Sequence, residues 1–160
     1  PIERREGRDP SLPLDDADFF AEGVGVVTPH RAQQAAVVAA LRLGGLDPEA
    51  VAAMEASVDT VERFQGQQRV AMFASFGMGD LDQIGGEEEF LYGLNRFNVI
   101  VSRAQAKMVA VMSRRMAEHL PRDLDTLRQS HLLKAFVDGG HLRRSLTATL
   151  GDLGRCEIRY

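Results

Sequence analysis

Residues 60–76 read TVERFQGQQRVAMFASF, and this stretch sets a polar turn directly between two apolar runs. The flanking runs, residues 57–61 and 70–76, carry the β-branched and aromatic side chains that favour strands. A surface loop has no need to crowd three glutamines and an arginine into one short turn. Gly66, at the centre of the turn, would let the backbone approach a ligand closely. The stretch therefore predicts two strands joined by a ligand-contacting turn.

Outward from this turn, predicted strands and helices alternate along the chain. Residues 24–28 (VGVVT) predict a buried strand, and residues 29–43 predict a helix that starts at a proline and ends at two glycines. A helix over 47–56, a strand over 107–113, and helices over 115–120 and 123–137 are also predicted. Residues 77–89 predict a Gly-rich acidic loop, and residues 90–102 are helical in their later part. Strands separated by helices predict an α/β fold with a mostly parallel sheet flanked by helices.

Composition limits the classes of protein to consider. The 160 residues carry a net charge of −4, so any basic binding surface must be local. Cys156 is the only cysteine, which excludes an internal disulfide and favours a reducing, cytoplasmic location. No apolar run reaches the length of a membrane span. We expect a linker or peripheral arm over residues 1–22, the folded domain over 23–140 and a basic extension over 141–160. The polar start at Pro1 suggests a piece of a longer polypeptide.

Polar clusters lie beside three of the predicted strands. Ligands of open α/β sheets bind at the carboxyl ends of strands, so the residues that follow them are candidate site residues. These clusters are rich in Arg and Gln, which donate hydrogen bonds to phosphates and amide edges. The sequence contains no paired nucleophile and base, no metal-ligand cluster and no phosphate loop of the G-x-x-x-x-G-K-[ST] type. This pattern predicts phosphate recognition rather than covalent catalysis. The run of residues 87–89 predicts a solvated helix start, or alternatively an acidic lip that repels ligands.

Three segments together resemble one known family. VGVVTPHRAQ (24–33), VDTVERFQGQQ (58–68) and LNRFNVIVSRAQAK (94–107) are similar in order and spacing to motifs IV, V and VI of superfamily 1 helicases of the Upf1/Dna2 type. The resemblance implies the second, C-terminal RecA-like domain of an ATP-dependent helicase or translocase, with a three-layer fold. Its expected partners are single-stranded DNA or RNA and the N-terminal RecA-like domain of the same polypeptide. ATP and Mg²⁺ would be bound mainly by that first domain, so this chain is expected to be inactive alone.

The resemblance also implies nucleotide-binding roles. Arg103 matches the arginine finger, the catalytic guanidinium that compensates charge on the transferred phosphoryl group; the alternative is an ordinary surface arginine on a helix. Arg31 is either a phosphate ligand or a solvated first-turn side chain, and in some relatives the equivalent arginine lies at the position of Gln34. The nucleotide-binding set implied by the resemblance is Arg31, Gln33, Gly66, Gln68 and Arg103.

A second set is implied for nucleic-acid binding. Thr60 would donate to a phosphate, or is simply a β-branched strand residue. His30 stands where relatives carry an aromatic tyrosine, and either stacks on a partner or packs in the domain. Arg96 and Asn98 are expected in structural roles, with Arg96 pairing an acid and Asn98 tying loops together. The nucleic-acid set is Thr28, Pro29, His30, Thr60 and Gln65, and no metal ligand is expected.

The chain departs from the family pattern at two positions. Relatives commonly carry Glu where this chain has Gln68, and Asp where it has Val70. Gln68 keeps a hydrogen-bonding carbonyl but loses the charge. These changes leave open a second function, a RecA-like module that no longer couples to ATP and binds nucleic acid or protein. The retained Arg103 favours the motor.

Overall fold

One parallel sheet organises the chain. The computed structural model describes residues 15–64, 67–139, 145–149 and 155–159. Within them, four strands form a sheet in the order β2-β1-β3-β4, and each neighbouring pair is parallel. The strands are β1 (Val24–Thr28), β2 (Val58–Thr60), β3 (Arg69–Ser75) and β4 (Ala104–Val111). The α/β fold with a parallel sheet, expected from the alternation of strands and helices, is confirmed.

Helices connect the strands and cover both faces of the sheet. A short α1 (Asp16–Asp18) and a π-helical turn (Phe19–Gly23) precede β1. The remaining helices are α2 (Arg31–Arg42), α3 (Pro48–Ser57), α4 (Leu81–Gly86), α5 (Glu88–Tyr92), α6 (Leu94–Arg103), α7 (Arg114–Glu118) and α8 (Leu124–Asp138). Two further strands, β5 (Ser145–Thr149) and β6 (Arg155–Arg159), pair antiparallel in a separate hairpin that was not expected from the sequence.

The main core lies on one face of the sheet. Val27, Met72 and Ala74 occur at alternate positions of β1 and β3, so they share that face. They pack with Phe97 and Ile100 of α6, and all five side chains are at most 5% exposed. Ser75, the neighbour of Ala74, faces the other way and accepts a hydrogen bond from α2, so helices flank the sheet on both sides.

Three predicted elements differ from the structure. The loop expected over residues 77–89 was wrong, because α4 and the start of α5 lie there. Asp80 explains α4: its carboxylate accepts from the backbone N–H groups of Asp82 and Gln83, both at 3.0 Å, and so caps the helix. Helix was expected only in the later part of residues 90–102, where α6 lies, but α5 also occupies the earlier part and Gly93 separates the two helices.

The last strand of the sheet also begins earlier than its predicted start at residue 107. β4 starts at Ala104 and lies at the end of the strand order. Its residues 105–107 are all exposed, so this part of the strand shows no apolar alternation in the sequence. None of the helices in the described ranges has the length and apolar character needed to cross a membrane.

Candidate functional site

The predicted site residues divide between two edges of the sheet. We use "carboxyl edge" for the residues that follow β1, β2 and β3, and "amino edge" for the residues that precede β3 and β4. The amino edge contains Gln68 and Arg103. Gln65 and Gly66 lie outside the described residues. The carboxyl edge contains the other residues predicted to bind nucleotide or nucleic acid: Thr28, Pro29, His30, Arg31, Gln33 and Thr60.

The register of the strands fixes how far apart the two edges lie. Arg103 directly precedes Ala104, which is paired with Arg69 at the start of β3. Thr28 ends β1 and lies level with the end of β3, six residues further along. At ~3.3 Å per residue the two levels are about 20 Å apart along the strands. The two members of the nucleotide-binding set in the α2 region, Arg31 and Gln33, are therefore not brought together with Gln68 and Arg103.

At the carboxyl edge, the segment after β1 is held by internal hydrogen bonds. Thr28 is fully buried, and its hydroxyl donates to the carbonyl oxygen of His30 at 3.2 Å. His30 is the N-cap residue of α2 but makes no side-chain capping bond, which leaves its imidazole directed elsewhere. Arg31, in the first turn of α2, is exposed and has no partner among the described residues. This segment thus combines a fixed backbone with one solvated cation.

Gln33 fixes α2 against the sheet. Its Nε2 donates to Ser75 Oγ at 2.8 Å. The same side chain fills the space beside Gly77, whose φ is +58° and where an added Cβ would lie 2.2 Å from Gln33 Nε2. Gln34 Nε2 donates to the carbonyl oxygen of Val58 at 2.8 Å, which ties α2 to β2 as well. Gln33 therefore positions the start of α2.

A row of four side chains crosses the carboxyl edge. The His30 ring stacks on Phe90, with ring centroids 5.2 Å apart and planes inclined by 15°. The guanidinium of Arg96 lies 4.0 Å from the centroid of the same Phe90 ring, a cation–π contact. Arg96 Nε also donates to Glu62 Oε1 at 2.9 Å, so the acid expected to pair with Arg96 is Glu62. The row joins the ends of β1 and β2 to α5 and α6.

The pairing of Glu62 with Arg96 fixes the charge state of this row. Partial burial acts to raise the pKa of Glu62, but the hydrogen bond and charge of Arg96 outweigh it and hold that pKa below its ordinary value. Glu62 is therefore a carboxylate at neutral pH and keeps Arg96 in place. Beneath the row lies a mainly apolar cleft, whose lining includes Thr28, Pro29, Ser75, Phe76, Phe90 and Arg96.

Thr60 ends β2 and starts the turn that leads towards Gln65 and Gly66. It is 8% exposed, and its carbonyl oxygen accepts from the backbone N–H groups of Arg63 and Phe64. Its own N–H donates to the carboxylate of Asp59 at 2.8 Å. Asn98, by contrast, is exposed on α6, and no described residue bonds its amide, so the expected tie between loops is absent from this part of the chain.

The side chains that flank the connection from β2 to β3 pack closely against β1 at Gly25. β2 and β3 lie on either side of β1, and the described residues between them, 61–64 and 67–68, contain no helix. An added Cβ at Gly25 would lie 2.7 Å from Met72 Sδ, 2.7 Å from Phe64 Cζ and 3.0 Å from Arg69 Cγ. Glycine in β1 thus allows the crossover to pack on the strand.

At the amino edge, Arg103 is the last residue of α6. Its Nε is buried and has no hydrogen-bond partner among the described residues. A buried donor without a partner is rare, because it loses its hydration with nothing in exchange. Gln68 lies exposed near the same level, just before β3. The amino edge therefore contains a buried arginine nitrogen that no described residue satisfies.

A comparison with known protein families identifies the group to which this fold belongs. A profile described as AAA domain matches residues 12–115, about two thirds of the chain. The chain belongs to the AAA domain family. This is a helicase-type P-loop NTPase family, and the match to it includes all three motif-like segments and both edges of the sheet. The comparison with curated proteins returned no match to the chain.

Within this AAA domain, sequence reasoning missed the partners that assemble the carboxyl edge. Phe90 and Glu62 were not expected to contact His30 and Arg96. Glu62 and Arg96 are 34 residues apart in sequence, and no local spacing links them. A usable signal exists only for Phe90, which is an aromatic residue just before the arginine-containing segment.

Proposed function

We propose that this chain is the C-terminal motor domain of an ATP-dependent superfamily 1 helicase or translocase of the Upf1/Dna2 type. In this proposal the amino edge faces ATP bound by a phosphate-loop domain of the same polypeptide. The carboxyl edge forms part of the track for single-stranded DNA or RNA. The observation that carries the proposal is the buried Nε of Arg103, which has no partner among the described residues and lies at the opposite end of the sheet from Thr28, His30 and Thr60.

Arg103 fits the requirements of an arginine finger. Phosphoryl transfer spreads negative charge over the γ-phosphate oxygens, and a planar, permanently charged guanidinium compensates it. The end of a helix holds the backbone of such a residue rigidly, while the absence of an internal partner leaves its guanidinium available. Gln68 and Gly66 belong with Arg103 on the nucleotide side. ATP bound there would supply the phosphoryl group, with Mg²⁺ held mainly by the first domain.

The placement of Arg31 and Gln33 leads us to assign them to the other edge. Arg31 is solvated beside His30, where it would contact a nucleic-acid phosphate. Gln33 is engaged with Ser75 and would act by positioning α2. Thr28 is fully buried, so it would support the track through the backbone that it holds. Pro29, His30 and Thr60, with Gln65, complete the proposed nucleic-acid side.

One helix connects the two proposed sites. α6 carries Arg96 in its first turn, at the carboxyl edge, and Arg103 as its last residue, at the amino edge. Ten residues of α-helix span about 15 Å, so a displacement at one edge is transmitted through a short rigid element. Closure of a nucleotide cleft around Arg103 would then displace the nucleic-acid-binding residues of the carboxyl edge. Repeated displacement of this kind moves the protein along the strand, which is translocation.

ATP hydrolysis by the full polypeptide, with and without single-stranded DNA or RNA, tests the proposal. Arg103→Ala should lower stimulated hydrolysis by about 10³- to 10⁵-fold. Arg128→Ala is the matched control, because Arg128 is an exposed helical arginine with a side chain 79% accessible, and this variant should hydrolyse ATP as wild type does. Normal turnover by Arg103→Ala would contradict the finger assignment.

A second candidate function rests on Gln68 and Val70, the two departures from the family pattern. An uncoupled RecA-like binding module would keep the carboxyl edge and lose turnover. It is favoured if neither wild type nor a Gln68→Glu variant hydrolyses ATP while both bind single-stranded nucleic acid.

A further inference from the structure

Three consecutive glutamates at the start of α5 have three different surroundings. Glu88 is buried, and its carboxylate lies 2.7 Å from His119 Nε2 and accepts the Arg122 N–H at 3.0 Å. Glu89 is exposed, and no described residue pairs with it. Glu87 reaches across to the carboxyl edge. The solvated helix start expected from this run therefore describes only Glu89.

The carboxylate of Glu87 contacts the imidazole of His30. Its Oε2 lies 2.8 Å from His30 Nε2, which makes an ion pair when the imidazole is protonated. The contact is close but not aligned as a hydrogen bond, since Nε2 is among the buried atoms without such a partner. Glu87 is also the N-cap residue of α5 yet makes no capping bond with its side chain. Its carboxylate is thus used for contact with His30 and not for the helix.

A carboxylate and a phosphate are both anions, so they compete for contact with the same protonated imidazole. We propose that Glu87 acts as an intramolecular phosphate mimic, which blocks His30 until a phosphate of single-stranded nucleic acid displaces it. This inference rests on the proposed function of the carboxyl edge. It makes Glu87 an autoinhibitory residue that lowers affinity and selects ligands able to replace it.

The surroundings allow this exchange without unfolding. The side chain of Glu87 is 39% exposed, so rotation about its own bonds can move it into solvent. Gly86 precedes it, and an added Cβ there would meet nothing within 4 Å, so the local backbone is uncrowded. The His30 ring stays stacked on Phe90, and the buried Glu88 holds α5 in place. The imidazole would therefore remain positioned for the incoming phosphate.

Binding of fluorescein-labelled oligothymidylate and oligouridylate to the full chain, measured by fluorescence anisotropy, tests this inference. Glu87→Gln should tighten binding by about two- to fivefold, the effect of releasing an exposed ion pair. Glu89→Gln removes the same charge from the neighbouring exposed position and is the matched control. In a His30→Gln background, Glu87→Gln should give no further gain in affinity beyond that of Glu89→Gln. The imidazole for which Glu87 and the phosphate compete is already absent from that background.

The outcomes separate the inference from the function on which it rests. Equal affinities of Glu87→Gln and Glu89→Gln, with all proteins binding, would overturn the phosphate mimic and leave the nucleic-acid track intact. An undiminished gain in the His30→Gln background would also overturn it. Absence of binding in every variant would contradict the proposed track and the inference together. Far-UV circular dichroism and thermal melts check folding, and Glu87→Ala provides a second variant should Glu87→Gln fold poorly.

Discussion

Arg96 at the carboxyl edge and Arg103 at the amino edge differ in how their guanidinium groups are paired. At the carboxyl edge, Arg96 is bonded to Glu62 and His30 contacts Glu87. At the amino edge, Arg103 Nε is buried with no partner among the described residues. An internally paired group contributes to the fold, whereas a buried unpaired group costs about 1–3 kcal/mol and needs another reason to be present. In the proposed function, a ligand or domain from outside the described residues supplies the missing partner of Arg103.

The largest expected effect on stability comes from Glu88, a buried and fully paired carboxylate. Glu88→Ala leaves His119 and the Arg122 N–H without their acceptor and should lower the free energy of unfolding by about 3 kcal/mol. Arg103→Ala should not lower stability, because it breaks no bond to a described residue and removes a buried donor that lacks a partner. Urea denaturation of both variants measures the contrast, and equal destabilisation would remove the distinction between paired and unpaired groups.

The same carboxylate gives a pH-dependent form of this test. The Arg122 N–H and His119 hold the pKa of Glu88 below its ordinary value. The folded state therefore favours the ionised form, and the stabilisation is present above the unfolded-state pKa of about 4.3. It should disappear as the pH falls through the lower, folded-state pKa. Melting temperatures between neutral and acidic pH should show a steeper acid loss in wild type than in Glu88→Gln.

The crossover between the edges should be nearly as sensitive. Gly25→Ala adds a Cβ 2.7 Å from both Met72 Sδ and Phe64 Cζ, and both of these side chains are at most 1% exposed. Overpacking of this kind should cost about 2 kcal/mol. Gly79→Ala is the control, since its Cβ would meet nothing within 4 Å. Thermal melts of the two variants measure this cost. A melting temperature of Gly25→Ala equal to that of wild type would contradict the tight packing around Gly25.

The smallest effect is expected at Arg96, in the exposed row of the carboxyl edge. Arg96→Lys keeps the charge but loses the planar group over Phe90, and should cost less than about 1 kcal/mol. Arg96→Ala should in addition let the pKa of Glu62 rise towards its ordinary value, because the hydrogen bond and the charge of Arg96 both lower it. NMR titration of the Glu62 carboxyl follows this shift. An unchanged pKa of Glu62 in Arg96→Ala would show that Arg96 does not stabilise the Glu62 carboxylate.

The sequence predicted the first half of the fold well because the local signals there are strong. β1, α2 and α3 combine apolar runs with Pro at the helix starts and Gly at the end of α2, and their bounds differ little from the prediction. α4 was missed because its glycines suggested a loop, and its aspartate cap was not recognised. The start of β4 was missed because its exposed residues hide the alternation.

The sequence suggested candidate site residues, but it did not reveal how they are arranged on the sheet. The resemblance to superfamily 1 helicases implied one nucleotide-binding set, which comprised Arg31, Gln33, Gly66, Gln68 and Arg103. Their division between two edges depends on strand register, which only pairing such as that of Arg69 with Ala104 reveals. Contacts such as His30 with Phe90 join distant segments, and side-chain stacking of this kind has no local signature in the sequence.

Nucleic-acid affinity and ATP hydrolysis, measured on one preparation of the full polypeptide carrying Arg103→Ala, test the separation of the two edges most directly. The account predicts single-stranded nucleic-acid binding within about twofold of wild type, together with a loss of hydrolysis of about 10³-fold or more. Hydrolysis at the wild-type rate would contradict the role of Arg103. Loss of nucleic-acid binding in a folded protein would contradict the assignment of separate functions to the two edges.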